Sequence, residues 1–168
     1  MGNKKDFIGL GLIWNMKLST FVKPLYKDKD SMHDFKHILR IKERVSEIKK
    51  NYNVDEEKLE FLVLFHGLKK WVTKNEDKVL SMGVSNEWIK ALYRHTKNPK
   101  SIEEKIVCDA NNLENVGEFG LKKCIEYGKS IGRSKEDSIK YFKKEVKRIK
   151  FYTEEGKGRY ERVSKNIA

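Results

Sequence analysis

Apolar residues recur at three- and four-residue steps over long stretches of this chain, and the alternation typical of strands is almost absent. The first such stretch predicts a helix from about Met32 to Asn51. Its buried stripe would consist of Ile38, Ile41, Val45 and Ile48. Ser31 and Asp34 form a Ser-x-x-Asp capping box, which favours a helix start at this point.

A second helix is predicted from Asp55 to His66, with Asp55 as its N-cap. The run Phe61–Phe65 is apolar on every face, which is typical of a helix in the centre of a core. A short buried strand is the alternative for these five residues.

The remainder of the chain predicts further helices separated by polar or proline-containing segments. The predicted helices are Asn86–Arg94, Ser101–Leu113 with a Ser101/Glu104 capping box, Phe119–Tyr127 and Lys135–Tyr152. Residues 69–85 are expected to be irregular, and the tail from Thr153 weakly helical because Gly156 and Gly158 interrupt it. These patterns predict an all-α protein, a compact single-domain helical bundle over residues 1–168. Residues 1–29 would be an N-terminal arm or helix packed on it, with Phe7–Met16 as its apolar part.

The formal net charge is +12, and such a surface attracts anions such as nucleotides, polyphosphates, nucleic acid or acidic headgroups. A merely solvated, lysine-rich surface explains the charge equally well. The basic stretch Lys135–Lys150 could contact nucleic acid, but no interleaved aromatic motif accompanies it. Phe7–Met16 is too short to span a bilayer, so we expect no membrane association and a cytoplasmic location. Cys108 and Cys124 match no metal or redox spacing.

Ionisable residues stand at apolar positions of three predicted helices. The chain has four histidines, one of which is His33. Of the others, His37 borders the buried stripe of the first helix, and His66 ends the most apolar segment. Asp109 lies among apolar residues, where a carboxylate needs a partner. Imidazole nitrogens and a carboxylate can bind a divalent metal, and helical bundles assemble such sites from separate helices. The alternative is a buried His–Asp hydrogen bond that only stabilises the fold.

Three segments together resemble the HD superfamily of metal-dependent phosphohydrolases over roughly residues 30–160. The segments are Met32–Ile41, which contains His37, the apolar helix Phe61–Gly67, which ends in His66, and Ser101–Gly117, which contains Asp109. The resemblance implies a helical bundle of the HD type with His37, His66 and Asp109 as metal ligands. The implied cofactor is a divalent ion, one of Mn, Ni, Zn, Fe, Co or Mg. His95 is expected on a loop rim before Pro99 and would face the substrate phosphate. The same role is expected of two cations, Arg40 and Arg94. Lys69 and Lys70 are further cations near these motifs.

The chain departs from the family signature at two positions. Gly67 stands where the family has the Asp of its His-Asp doublet, and Asn111 replaces the second Asp of an Asp-Ala-Asp pattern. Gly67 also fits a left-handed helix C-cap. Three protein ligands plus water remain a normal count for catalytic zinc. Two functions follow. One is a metal-dependent hydrolase of a nucleotide, phosphomonoester or pyrophosphate, weakened by the lost ligand. The other is an inactive module that binds a nucleotide or another anion.

Overall fold

The computed structural model describes residues 17–30 and 32–164, and every regular element in these ranges is helical. The helices are α1 (17–22), α2 (Phe35–Ile48), α3 (Glu56–Leu64), α4 (Lys69–Lys74), α5 (Glu76–Ser81), α6 (Asn86–Arg94), α7 (Ile102–Leu113), α8 (Gly117–Ser130), α9 (Lys135–Val146) and α10 (Glu154–Ser164). Short 3-10 turns cover Lys23–Tyr26 and Lys49–Asn51. The predicted all-α class is confirmed. The expected apolar arm Phe7–Met16 and the capping residue Ser31 lie outside the described residues.

The chain divides into two compact units. Unit 1 comprises residues 1–40 and 53–104, and unit 2 comprises residues 41–52 and 105–168. One domain over residues 1–168 stays a prediction. Among the described helices, none has the length and apolar character needed to span a bilayer.

Unit 1 is built around α3, whose run Phe61–Phe65 is almost completely buried. The Asp55 carboxylate accepts a hydrogen bond from the backbone N–H of Lys58 at 3.0 Å, so the predicted N-cap is confirmed. The helical conformation of Phe61–Leu64 rules out the strand alternative. α3 packs against α6, and the Phe61 and Trp88 ring centroids lie 6.1 Å apart.

Local polar signals set most of the other helix starts in unit 1. Asp34 accepts a hydrogen bond from the His37 N–H at 2.9 Å, so α2 begins at Phe35 rather than Met32. Ser101 and Glu104 form the predicted reciprocal capping box, with distances of 3.4 and 3.3 Å. The expectation of an irregular segment over residues 69–85 is wrong, because α4 and α5 lie there.

Unit 2 contains the hairpin of α8 and α9, and α10 packs against α8. α9 ends at Val146, earlier than the predicted end at Tyr152. The weakly helical tail is instead a regular helix, α10, which runs through both glycines. The two residues that precede α10, Tyr152 and Thr153, matter for the site described below, because Asp109 binds them.

Candidate functional site

Four histidine side chains of unit 1 lie in a row, ring beside ring. The ring centroids of His33 and His37 are 6.5 Å apart, and those of His37 and His66 are 5.7 Å apart. The His66 and His95 centroids are 5.0 Å apart. The row runs from an exposed His33 to a fully buried His95. Three of the histidines that the sequence singled out, at positions 37, 66 and 95, are therefore neighbours.

Hydrogen bonds assign the tautomers at the buried end of this row. His95 Nδ1 lies 2.7 Å from the Leu92 carbonyl oxygen, which can only accept, so Nδ1 carries the proton. Burial lowers the pKa of His95 to about 4, and the nearby Lys69 ammonium acts in the same direction. His95 is therefore neutral at pH 7, and its Nε2 accepts a hydrogen bond from Nδ1 of His66 at 2.8 Å. His66 Nδ1 is therefore the donor in this contact, and a neutral imidazole that donates from Nδ1 has its lone pair on Nε2.

The expectation that His95 lies on an exposed loop rim is wrong. His95 is the C-cap of α6, its N–H donates to the Ala91 carbonyl, and its side chain is 0% exposed. It contacts His66 rather than solvent. A role of His95 toward substrate stays a prediction, but its observed contact is to the imidazole of His66.

Arg94 binds two carboxylates of unit 1. Its Nε and Nη2 donate to the two oxygens of Glu104 at 2.9 and 2.7 Å, and Nη2 also donates to Glu87 at 2.8 Å. The Glu104 side chain is completely buried, so this forked pair compensates its charge. Arg94 therefore stabilises the junction of α6 and α7, and its predicted contact to a substrate phosphate would compete with these carboxylates. Arg40 is half-buried on α2, and its role stays a prediction.

Lys69 is the cation that the structure holds next to the histidine row. Its ammonium donates to the Thr96 hydroxyl at 2.9 Å and to the Tyr93 carbonyl at 3.4 Å. Its charge is close enough to His95 to contribute to the lowered pKa of that imidazole. A held ammonium beside the neutral imidazole of His95 is a suitable contact for a phosphate group.

Gly67 does not have the conformation of a left-handed cap, so that expectation is wrong. Its φ is not positive, and α3 already ends at Leu64. The Gly67 N–H donates to the Tyr26 hydroxyl at 3.2 Å. Nothing in the sequence around Tyr26 indicates that its side chain binds the backbone next to His66.

Asp109 lies in unit 2, and both of its carboxylate oxygens bind the start of α10. The Tyr152 N–H donates to Oδ1 at 2.9 Å and to Oδ2 at 3.1 Å. The Thr153 N–H and hydroxyl donate to Oδ2 at 2.8 and 2.7 Å. Burial raises the pKa of Asp109, and these hydrogen bonds oppose that shift. The carboxylate thus accepts hydrogen bonds from the residues that precede the N-terminus of α10. The sequence analysis did not predict this role.

Among residues 17–30 and 32–164, no group of three or more His, Cys, Asp or Glu side chains is arranged to hold a metal ion. Position 67 supplies no carboxylate, and four hydrogen bonds already engage Asp109. The described side chains therefore do not fit a complete divalent-metal centre. The ligand set His37, His66 and Asp109 stays a prediction from the sequence.

The basic stretch Lys135–Lys150 of unit 2 includes an aromatic ring, that of Tyr141, which the sequence analysis did not single out. Tyr141 on α9 is 47% exposed, and the Arg133 guanidinium lies 4.4 Å from its ring centroid. A cation stacked on an exposed ring is a common surface arrangement. A nucleic-acid partner for this face stays a prediction.

Several solved structures are similar to this chain, and two of them are named as HD-superfamily hydrolases. Bacillus subtilis YpgQ in complex with ADP matches with a TM-score of 0.75 and 19% identity, over 94% of this chain and 90% of that one. An HD-superfamily hydrolase from Bacillus thuringiensis matches with a TM-score of 0.75 and 23% identity, over 94% and 92% of the two chains. A predicted HD-superfamily hydrolase from an uncultured Thermotogales bacterium matches with a TM-score of 0.61 and 18% identity, over 90% and 86%. No protein-family model and no curated protein sequence matches. The chain therefore has an HD-domain-like fold.

Proposed function

We propose that this protein binds a small phosphorylated ligand, with a nucleoside diphosphate as the first candidate, and hydrolyses it slowly or not at all. The observation that carries the proposal is the row of neighbouring imidazoles, with the Lys69 ammonium held beside its buried end. The similar structure of Bacillus subtilis YpgQ, which is in complex with ADP, supports the ligand class. The missing carboxylate at Gly67 argues against efficient metal-dependent hydrolysis.

The binding chemistry proposed for unit 1 uses charge and hydrogen bonds only. Lys69 would donate to a terminal phosphate oxygen, since its ammonium lies at the buried end of the histidine row and attracts an anionic group. His66 offers an acceptor nitrogen to a hydroxyl of the ligand or to a protonated phosphate. The overall charge of +12 would raise the local concentration of anionic ligands.

The experiment is a calorimetric titration of the full chain with ADP, in wild type and in two matched variants. Lys69→Gln should weaken ADP binding by about tenfold or more, because a hydrogen bond to a charged group contributes about 1.5–3 kcal/mol. Lys70→Gln removes the same charge from the next, exposed position and should change the Kd less than about threefold. Equal losses in the two variants would show that ADP follows overall charge, and no binding in wild type would exclude this ligand class.

A metal-dependent phosphohydrolase is the second candidate function. The tautomer of His66 favours it, because hydrogen bonding of Nδ1 to His95 leaves Nε2 as the nitrogen able to bind a metal. Incubation with ADP, nucleoside triphosphates, phosphomonoesters and pyrophosphate, each with Mn²⁺, Ni²⁺, Zn²⁺, Fe²⁺, Co²⁺ or Mg²⁺, tests this candidate by phosphate release. Turnover in wild type that disappears in His66→Gln, and that none of these metal ions restores in the variant, would support the phosphohydrolase.

A further inference from the structure

Tyr26 bridges the two ends of the turn that carries His66. Its hydroxyl donates to the Leu64 carbonyl at 2.7 Å and accepts from the Gly67 N–H at 3.2 Å. Leu64 is the last residue of α3, so the phenol binds a carbonyl that has lost its helical partner. One side chain therefore fixes the backbone on both sides of His66.

The ring of Tyr26 also occupies the space that a side chain at position 67 would need. A Cβ built on Gly67 would lie 3.0 Å from Tyr26 Cε1 and 3.4 Å from Oη. The backbone itself does not require glycine, since φ at Gly67 is not positive. The glycine is therefore required by the tyrosine ring, and not by the turn.

Tyr26 is anchored firmly enough for this role. It ends the 3-10 turn Lys23–Tyr26, its side chain is 2% exposed, and its ring centroid lies 5.7 Å from that of Phe35. Burial raises the pKa of its hydroxyl well above the usual range, so the hydroxyl stays protonated and continues to donate to Leu64. A buried phenol with both hydrogen-bonding functions used is costly to displace.

We infer that Tyr26 is a positioning residue that stands in for the side chain absent at Gly67 and holds the His66 imidazole toward the histidine row. The two positions form a coupled pair, because a side chain at position 67 would crowd the Tyr26 ring and the Tyr26 hydroxyl binds both ends of the turn. This inference rests on the proposed function only in assigning His66 to the ligand site. It places no reaction step on Tyr26.

The first test compares Tyr26→Phe with Tyr93→Phe in the full chain. Tyr26→Phe keeps the ring and removes both hydrogen bonds, whereas Tyr93→Phe removes an exposed hydroxyl that contacts Thr73 at 2.9 Å. We expect Tyr26→Phe to shift the ring ¹H and ¹⁵N resonances of His66 by more than their line widths and to lower the Tm by about 3–6 °C. Tyr93→Phe should leave both unchanged. Unchanged His66 resonances in Tyr26→Phe would overturn the positioning role.

The second test is a double-mutant cycle between Gly67→Ala and Tyr26→Ala, read as Tm. In wild type, Gly67→Ala should lower the Tm by about 4–8 °C, because the new methyl group overpacks against the ring. In Tyr26→Ala the same change should cost nothing or raise the Tm, since the space is open. If Tyr26→Ala is too unstable to melt cooperatively, Tyr26→Leu replaces it. Equal costs of Gly67→Ala in both backgrounds would overturn the coupling.

These two tests do not depend on ADP. Loss of ADP binding in wild type with intact coupling would reject the proposed function and leave the Tyr26 inference standing. Normal ADP binding without coupling between positions 26 and 67 would reject the Tyr26 inference and leave the proposed function standing. The Kd for ADP in Tyr26→Phe links the two, and we expect it to rise at least threefold if His66 contacts the ligand.

Discussion

The two units treat their buried polar side chains in different ways. In unit 1, three imidazoles that the sequence analysis selected contact one another, and a carbonyl fixes the proton positions at the buried end. In unit 2, the selected carboxylate, Asp109, accepts hydrogen bonds from Tyr152 and Thr153, the two residues that precede α10. The same kind of local pattern, a polar residue among apolar ones, therefore marks a cluster of imidazoles in one unit and a carboxylate that binds the residues before a helix in the other. Only the hydrogen-bond partners distinguish them.

The largest effect should follow from removing the anchor in unit 2. Asp109→Ala leaves two backbone N–H groups and the Thr153 hydroxyl without their acceptor, and each unsatisfied buried group costs about 1–3 kcal/mol. We expect the free energy of unfolding to fall by about 4 kcal/mol in urea titrations. Gly156→Ala should also destabilise, because its Cβ would overlap the carboxylate. If Asp109→Ala folds as stably as wild type and loses only ligand binding, Asp109 is a site residue after all.

His95→Ala should have the next largest effect on the free energy of unfolding, because it removes both packing and a hydrogen-bond acceptor. The imidazole is fully buried, so the variant creates a cavity and removes the acceptor of the His66 Nδ1–H. We expect a loss of about 3 kcal/mol in the free energy of unfolding, measured by chemical denaturation. A stable variant with lost turnover alone would return His95 to the exposed role predicted from the sequence.

The variant Glu104→Gln tests how unit 1 stabilises a buried carboxylate, through the pH dependence of its thermal stability. Burial acts to raise the pKa of Glu104, but the Arg94 guanidinium and the N–H groups of Lys100 and Ser101 hold it below its usual range. An acid with a lowered folded-state pKa contributes stability above its unfolded value of about 4.3, and the contribution disappears as the pH falls through the folded value. We expect Glu104→Gln to cost about 2 kcal/mol at pH 7 and to show a flatter acid branch in melts between pH 5 and 2.5. Parallel acid branches for the two proteins would contradict this assignment.

The variant Gly67→Asp tests whether the absence of a carboxylate at position 67 is enough to prevent metal binding at this site. Alone, the new side chain meets the Tyr26 ring, so we expect a lower Tm and no gain in metal. Combined with Tyr26→Ala, it should bind Mn²⁺ at least about tenfold more tightly than Tyr26→Ala alone, because a carboxylate adds charge and a ligand. Metal content of the purified variants decides this. A tenfold gain in Gly67→Asp alone would mean that Tyr26 does not block the position.

The smallest effect is expected at the exposed end of the histidine row. His33 pairs with Asp30 at 2.9 Å, and both side chains are more than half exposed. Such surface pairs contribute little, so His33→Gln should change the free energy of unfolding by less than about 0.5 kcal/mol. Its ADP affinity should also equal that of wild type. A clear loss of affinity would extend the ligand site outward to His33.

Local chemistry explains what the sequence predicted well. The N-cap Asp55 and the Ser101/Glu104 box are short-range signals, and both appear as expected. The three-residue spacing of apolar positions likewise gives α2, α6 and α7 within a few residues. These features depend on neighbours within one turn, which the sequence displays directly.

Long-range contacts explain what the sequence could not show. Tyr26 reaches Leu64 and Gly67 across 38 and 41 positions, and nothing around Tyr26 signals that contact. α10 runs through Gly156, which the sequence analysis took as a helix breaker, because that glycine makes room for the Asp109 carboxylate. The position of His95 before Pro99 suggested a loop rim, although its imidazole is buried and contacts His66.

The most direct test of the account is ADP binding in the presence of a chelator. We expect wild type to bind ADP in EDTA with a Kd within about threefold of that measured with Mn²⁺, and to release little or no phosphate in either condition. Binding that disappears in EDTA, together with Mn²⁺-dependent turnover of ADP, would contradict the account. It would show that the chain completes a catalytic metal centre despite Gly67.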